Sequence, residues 1–126
     1  MTVVTTGLLP WRIPKEYEPN RAQIKQDLQA GLAYLREHGW CQGKAYDSDG
    51  RVCAITALSR PFRAQNSEWF DDLALVARFQ VARRHLDGKI PQQSPDRIYT
   101  TEGYNDHKAK GQKDLEDLYE MAIADL

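Results

Sequence analysis

The chain has no apolar run approaching the roughly 18 consecutive residues that a membrane-spanning helix needs. It has almost no net charge, −1 over 126 residues, so no global field draws it toward nucleic acid or an anionic membrane. It has only two cysteines, Cys41 and Cys53. The start, Met1-Thr-Val-Val-Thr-Thr-Gly-Leu-Leu, carries no basic stretch and no long apolar core of a secretory leader. Together these predict reduced thiols in the cytoplasm. Phosphate-cradling glycine spacings are absent, since Gln42-Gly43-Lys44 lacks the P-loop pattern. No Cys-x-x-Cys or His-x-x-x-His pair is present either, so no metal or other cofactor is expected.

What is present suits one domain. A chain of this length buries about two-thirds of its unfolded surface and needs no staple. Residues 1–19 hold Pro10, Pro14 and Pro19 among Leu8, Leu9, Trp11, Ile13 and Tyr17, which predicts an extended arm. Residues 20–126 read as a single helical domain. Asn20 and Gln23 have capping-box spacing, Ile24, Leu28, Leu32 and Leu35 recur at helical period, and Gly39 supplies the stop, so a helix is predicted over 20–38. Asp47-Ser-Asp-Gly50 is a turn, with a short hairpin or ordered loop around it. A short helix from Cys53 to Ser59 is expected to stop before Pro61. A third helix should run from Asn66 or Ser67 to Asp87, with Phe70, Leu73, Ala74, Ala77 and Val81 inside and Gly88 closing it. Residues 89–110 show no period and read as a long loop. A last helix begins near Gly111 and buries Leu115, Leu118, Tyr119, Ala122 and Ile123. The expected architecture is mainly α, with room for a little β: four helices and a hairpin after the first.

Cys53 is the sharpest chemical candidate. A thiol at a helix start faces free N–H groups that favour thiolate, and Arg51 would add to this. His107 is the candidate base, with Asn105 or Asp106 to orient it. The alternative is a core cysteine, because Cys53 is followed by Ala-Ile-Thr-Ala-Leu. Asn105-Asp106 would equally serve to fix a turn, or Asp106 would pair with Arg51. A metal set drawn from Cys41, Cys53 and His38 or His107 has no supporting spacing. An antiparallel hairpin centred on 47–50 would set position 41 opposite 56, not 53, which disfavours a disulfide. Lys89, Arg97, Lys108, Lys110 and Lys113 with Tyr99 and Tyr104 are the ingredients of a single-strand nucleic-acid edge.

Gly39-Trp-Cys-Gln-Gly43, then Asp49-Gly-Arg-Val-Cys-Ala54 with Ala57-Leu58, then Asn105-Asp106 before a terminal Leu-rich helix form a pattern. It resembles an uncharacterised family of small proteins from actinobacteria and their phages, over about residues 25–125. Thr56 stands where that pattern has Gly, Tyr104 where it has Trp, and Gly111 where it has a capping Thr. The resemblance implies a mainly helical fold and no established activity. The shared residues Gln42, Arg51, Asn105 and Asp106, with Tyr104 in the aromatic position beside them, mark a binding site or a structural knot. The expected function is that of a small accessory protein, phage- or mobile-element-encoded. It binds an unidentified host protein or small ligand through the 40–52 and 89–110 loops, with no membrane partner. A thiol-dependent hydrolase or transferase using Cys53, and single-stranded nucleic-acid binding, are the alternatives.

Overall fold

Helix α1 (Arg21–His38) forms where the periodicity places it, with Asn20 Oδ1 accepting from the Gln23 N–H at 2.8 Å as its cap. Its buried face is Ile24, Leu28, Leu32 and Leu35, joined by Asp27 and Gly31. The computed structural model describes residues 12–91 and 99–126. Helices α2 (Ala54–Gln65), α3 (Leu73–Asp87), α4 (Thr101–His107) and α5 (Gln112–Ala124) follow, with 3-10 turns at Lys15–Tyr17 and Trp69–Asp71. The mainly helical expectation holds, but the described residues contain five α-helices rather than four, and isolated bridges in place of a hairpin. Among them no helix is long and apolar enough to cross a membrane. The first eleven residues of the expected arm lie outside the described residues. Its last part packs its 3-10 turn against α3.

Three expectations are corrected. Helix α2 runs through Pro61 to Gln65. An internal proline costs about 3 kcal/mol. Here the next residue, Phe62, is 1% exposed and forms an aromatic cluster with Trp69 and Phe79, at ring separations of 5.6 and 6.0 Å. Burying that ring requires the helix to continue. Helix α3 starts later than expected because Asp72 caps it, accepting from the Ala74 and Leu75 N–H groups. The face therefore shifts to Leu75, Phe79, Ala82 and Leu86, with Ala77 also buried, while Phe70 and Leu73 are exposed. Gly88 closes α3 with φ −69°, an ordinary right-handed conformation. The expected 89–110 loop contains α4. Thr100 Oγ1 caps it, and Asp87 at the end of α3 accepts from both the N–H and the hydroxyl of Thr101.

Two contacts hold α1 in place. Gly31 sits where α1, α2 and α5 meet, and a Cβ there would fall 2.8 Å from Tyr119 Oη and 3.1 Å from Leu58 Cα. Tyr119, fully buried, donates to the Ala54 carbonyl at 2.8 Å, and burial pushes its phenol well above the usual range. On the other side Arg78 of α3 forks onto Asp27, Nη2 to Oδ1 at 2.7 Å and Nε to Oδ2 at 3.1 Å. The hydrogen bonds that the Arg78 guanidinium donates to the Asp27 carboxylate raise its pKa further. Asp27 is 6% exposed. Removing one partner of such a pair leaves a buried charge unmatched, whereas replacing both with apolar groups is often neutral. Asp27→Leu should therefore lose about 3–5 kcal/mol in urea unfolding, and Asp27→Leu with Arg78→Met should recover most of it.

Candidate functional site

The segment between α1 and α2 is built by backbone pairing and one buried amide. Gly39 leaves α1 with φ 90° and ψ 167°, a conformation essentially confined to glycine. The chain then runs beside Val52 in parallel: Val52 N–H donates to Gly39 O and Cys41 N–H to Val52 O. The far side of the loop returns antiparallel, with Tyr46 bridged to Val52 and Cys53 N–H donating to Ala45 O. The expected 41-to-56 facing is overturned, because residues 39–41 belong to the parallel bridge and not to the hairpin. Both thiols are free and buried.

Asn105 of α4 is fully buried and bonded at all four amide positions. Its Oδ1 accepts from Trp40 Nε1 at 2.8 Å and from the Ala54 N–H at 3.0 Å. Its Nδ2 donates to the Cys41 carbonyl at 3.2 Å and to Asp106 Oδ1 at 2.9 Å. Two donors facing one atom and two acceptors facing the other fix the orientation of the amide. Asp106 Oδ1 also accepts from the Gly43 N–H at 2.9 Å. Gln42 Nε2 donates to the carbonyls of Asn105 and Ala109 at 3.0 and 3.1 Å, satisfying the C-terminal end of α4. Gln42, Asn105 and Asp106 are thus brought together as a knot.

Arg51 is not in that knot. The expected pair with Asp106 is replaced by Nε on Asp47 Oδ2 at 2.7 Å and a longer contact with Asp49. Partial burial pushes the Asp47 carboxyl up, but bonds from the Arg51 side chain and the Arg51 and Asp49 N–H groups outweigh it and hold the carboxyl below the usual range. Tyr104 is half-buried against the core, and burial, then Asp114, raises its phenol.

Cys53 does cap a helix: its Sγ accepts from the Thr56 N–H at 3.4 Å and donates to Thr56 Oγ1 at 3.3 Å. Thr56 is half-exposed there, so the side chain that replaces the pattern's Gly has room and a partner. His107 is exposed in the last turn of α4, and among the described residues no hydrogen bond joins it to Cys53. Asp106 is held by Gly43 and Asn105. The candidate triad is not assembled. Cys41 donates weakly to the carbonyls of Lys44 and Arg51, and burial followed by the nearby Asp47 charge pushes its thiol up. Among the described residues no group of three or more His, Cys, Asp or Glu is placed to hold a metal.

A family model described as a family of unknown function, DUF6197, matches residues 19–125. The chain belongs to that family. No curated protein and no solved structure matches it. The expected membership of an uncharacterised family therefore stands over residues 19–125, and the family's description names no reaction.

Next to the knot, within the 40–52 loop that the sequence singles out, the surface is concave. A shallow cleft is lined by Trp40, Cys41, Gln42, Lys44, Asp47, Ser48 and Arg51. Tyr46, in the same loop but not lining that cleft, is 61% exposed, with the Arg60 guanidinium 5.3 Å from its ring centroid. Arg60 and Tyr46 are far apart in sequence and carried no local signal. The nucleic-acid edge is partly neutralised: Lys89 pairs with Asp125 and Lys113 with Asp117, while Lys108 lies over Tyr99. Arg97 lies outside the described residues.

Asn105→Ala strands Trp40 Nε1–H, the Ala54 N–H and the Cys41 carbonyl. At about 1–3 kcal/mol for each buried orphan, it should cost at least about 3 kcal/mol by chemical unfolding. Asn105→Asp should be no milder at neutral pH, since it turns an acceptor toward the Cys41 carbonyl. For Asp47 the sign follows from its depressed carboxyl: the loop is held above the usual aspartate range of about 3.9 and released as pH falls through the lower folded value. Amide exchange at Asp49 and Arg51, corrected for its intrinsic pH dependence, should lose protection only below that range.

Proposed function

We propose that this protein is a non-catalytic binding module. Its working face is the outer side of the 40–52 loop, clamped onto α4. The observation that carries this reading is the Asn105 amide, whose four bonds are used to hold a loop in which Gln42–Tyr46 and Ser48–Arg51 remain exposed. A loop held this rigidly has already met the entropic cost of ordering before it meets a partner. Tyr and Arg are the side chains that most often dominate interface energies, and Tyr46 and Arg60 stand together on this face. The ligand is a protein or a small molecule that fits the cleft from Trp40 to Arg51. The setting suggested by the family resemblance is an accessory protein of a phage or mobile element, acting in a host cytoplasm.

Hydrolase or transferase chemistry at Cys53 has less support, because its thiol is bonded to Thr56 and is buried. Single-strand binding is weakened by the carboxylates on Lys89 and Lys113.

The test is affinity capture from cells that carry the gene, comparing the native chain with Tyr46→Ala and Arg60→Ala. Both residues lie at the surface, so melting temperature should stay within about 2 °C, while a retained partner or ligand is lost by tenfold or more. Capture that is insensitive to both changes would move the working face elsewhere. Rapid alkylation of native Cys53, with a thiol pKa well below about 8.5, would revive the enzyme alternative.

A further inference from the structure

The two cysteines, set apart by the hairpin expected from the sequence, are brought onto one rung by the parallel bridge. Val52 donates its N–H to the Gly39 carbonyl at 2.9 Å and accepts from the Cys41 N–H at 3.0 Å, which pairs Trp40 with Val52. The next position along both chains pairs Cys41 with Cys53. Side chains alternate along each extended chain, so paired residues share a face. The Asn105 amide holds the other edge of this rung. A continued ladder would run the Ala54 N–H to the Cys41 carbonyl. Instead that N–H reaches Asn105 Oδ1 at 3.0 Å, and that carbonyl accepts from Asn105 Nδ2 at 3.2 Å. One side-chain amide is inserted where a peptide-to-peptide bond would stand, and the two chains part only beyond the cysteines.

Neighbouring extended chains lie about 4.7–4.9 Å apart, and disulfides join Cα atoms about 4.4–6.8 Å apart. The rung therefore falls within reach of a disulfide, with margin for the opening at Asn105. After burial and the Asp47 charge, Cys53 is the next group that pushes the Cys41 thiol up, which places the two sulfurs as neighbours. What each thiol would give up is small. Cys41 Sγ donates only weakly, at 3.5 Å, to the Lys44 and Arg51 carbonyls, and the Arg51 carbonyl also holds the Asp47 N–H at 3.0 Å. Cys53 Sγ donates to the hydroxyl of Thr56, a half-exposed residue that water can serve instead. Cys41 also lines the shallow cleft, from which a small oxidant approaches.

We propose that Cys41 and Cys53 form a dithiol–disulfide couple within the native fold, oxidised by a low-molecular-weight disulfide. One thiolate attacks the small disulfide and releases one small thiol, and the other cysteine then attacks the mixed disulfide and releases the second. Two protein thiols and one small disulfide thus give one protein disulfide and two small thiols. The bond closes residues 42–52 covalently at their base, and it stands apart from whether that loop binds a partner.

The full chain, equilibrated with 2-mercaptoethanol and its disulfide, natively and in urea that unfolds it, tests this by mass spectrometry after acid quenching. The expected product is a monomer lighter by two hydrogens, with tryptic peptides 37–44 and 52–63 joined. Its equilibrium constant should be at least about tenfold larger in the native chain, because the fold has already closed a ring that the unfolded chain closes at an entropic cost. Burial slows the exchange at neutral pH, so the ratio is read once it is constant. A smaller difference overturns the proposal, as do mixed disulfides with the small thiol, or disulfide-linked dimers, as the main native products.

Discussion

The fully bonded Asn105 amide is the constraint on which the candidate face depends. It ties together the end of the α1 loop through Trp40 and Cys41, the first N–H of α2 through Ala54, and its own neighbour Asp106. A buried amide is stabilising only when every position is matched, because an orphaned donor or acceptor costs more than a single bond contributes. The arrangement is therefore nearly all-or-none. Gln42 and Asp106 extend it from inside to outside, one closing the end of α4 and the other receiving the Gly43 N–H. The loop is irregular, yet its backbone follows a single path.

Around this knot the core supplies position. The Leu and Ile stripe of α1 packs on α2, α3 and α5, with Gly31 allowing the close approach of Tyr119 and Leu58. The Asp27–Arg78 fork sets how α1 and α3 lie against each other, a use of charge that adds orientation more than stability. The Phe62, Trp69 and Phe79 cluster then fixes the far end of α2, so that Arg60 comes under Tyr46. Exposed Tyr46 and half-buried Arg60 thus meet at α2, two residues before the Phe62 ring that anchors it to the aromatic cluster.

Elements governed by local rules were legible. The capped, periodic α1, the apolar face of α5 and the Asp47–Gly50 turn follow from residues within a few positions of each other. Failures came where a distant contact, or a competing local one, outweighed the signal that was read. Pro61 reads as a stop, but the burial of Phe62 carries α2 past it. Phe70 and Leu73 read as core, but the Asp72 cap delays α3 and turns the face. The 89–110 stretch has too short a helix for a period to show, and α4 owes its place to Asp87, Thr100 and Gln42. Asp27 and Arg78 did leave a trace, since each interrupts an apolar helix stripe with a charge of opposite sign.

The sequence by itself determined the helical class, the long outer helices and the family. Those features rest on spacing and on residue chemistry, which are written along the chain. Only the tertiary structure decided what the candidate residues do: Asp106 holds Gly43 and not Arg51, Cys53 caps α2 without a histidine beside it, and Tyr46 with Arg60 forms the outer face. The partner of a buried polar group is chosen by which unsatisfied donor or acceptor folding brings within reach. That choice is made across dozens of residues, where no periodicity carries information.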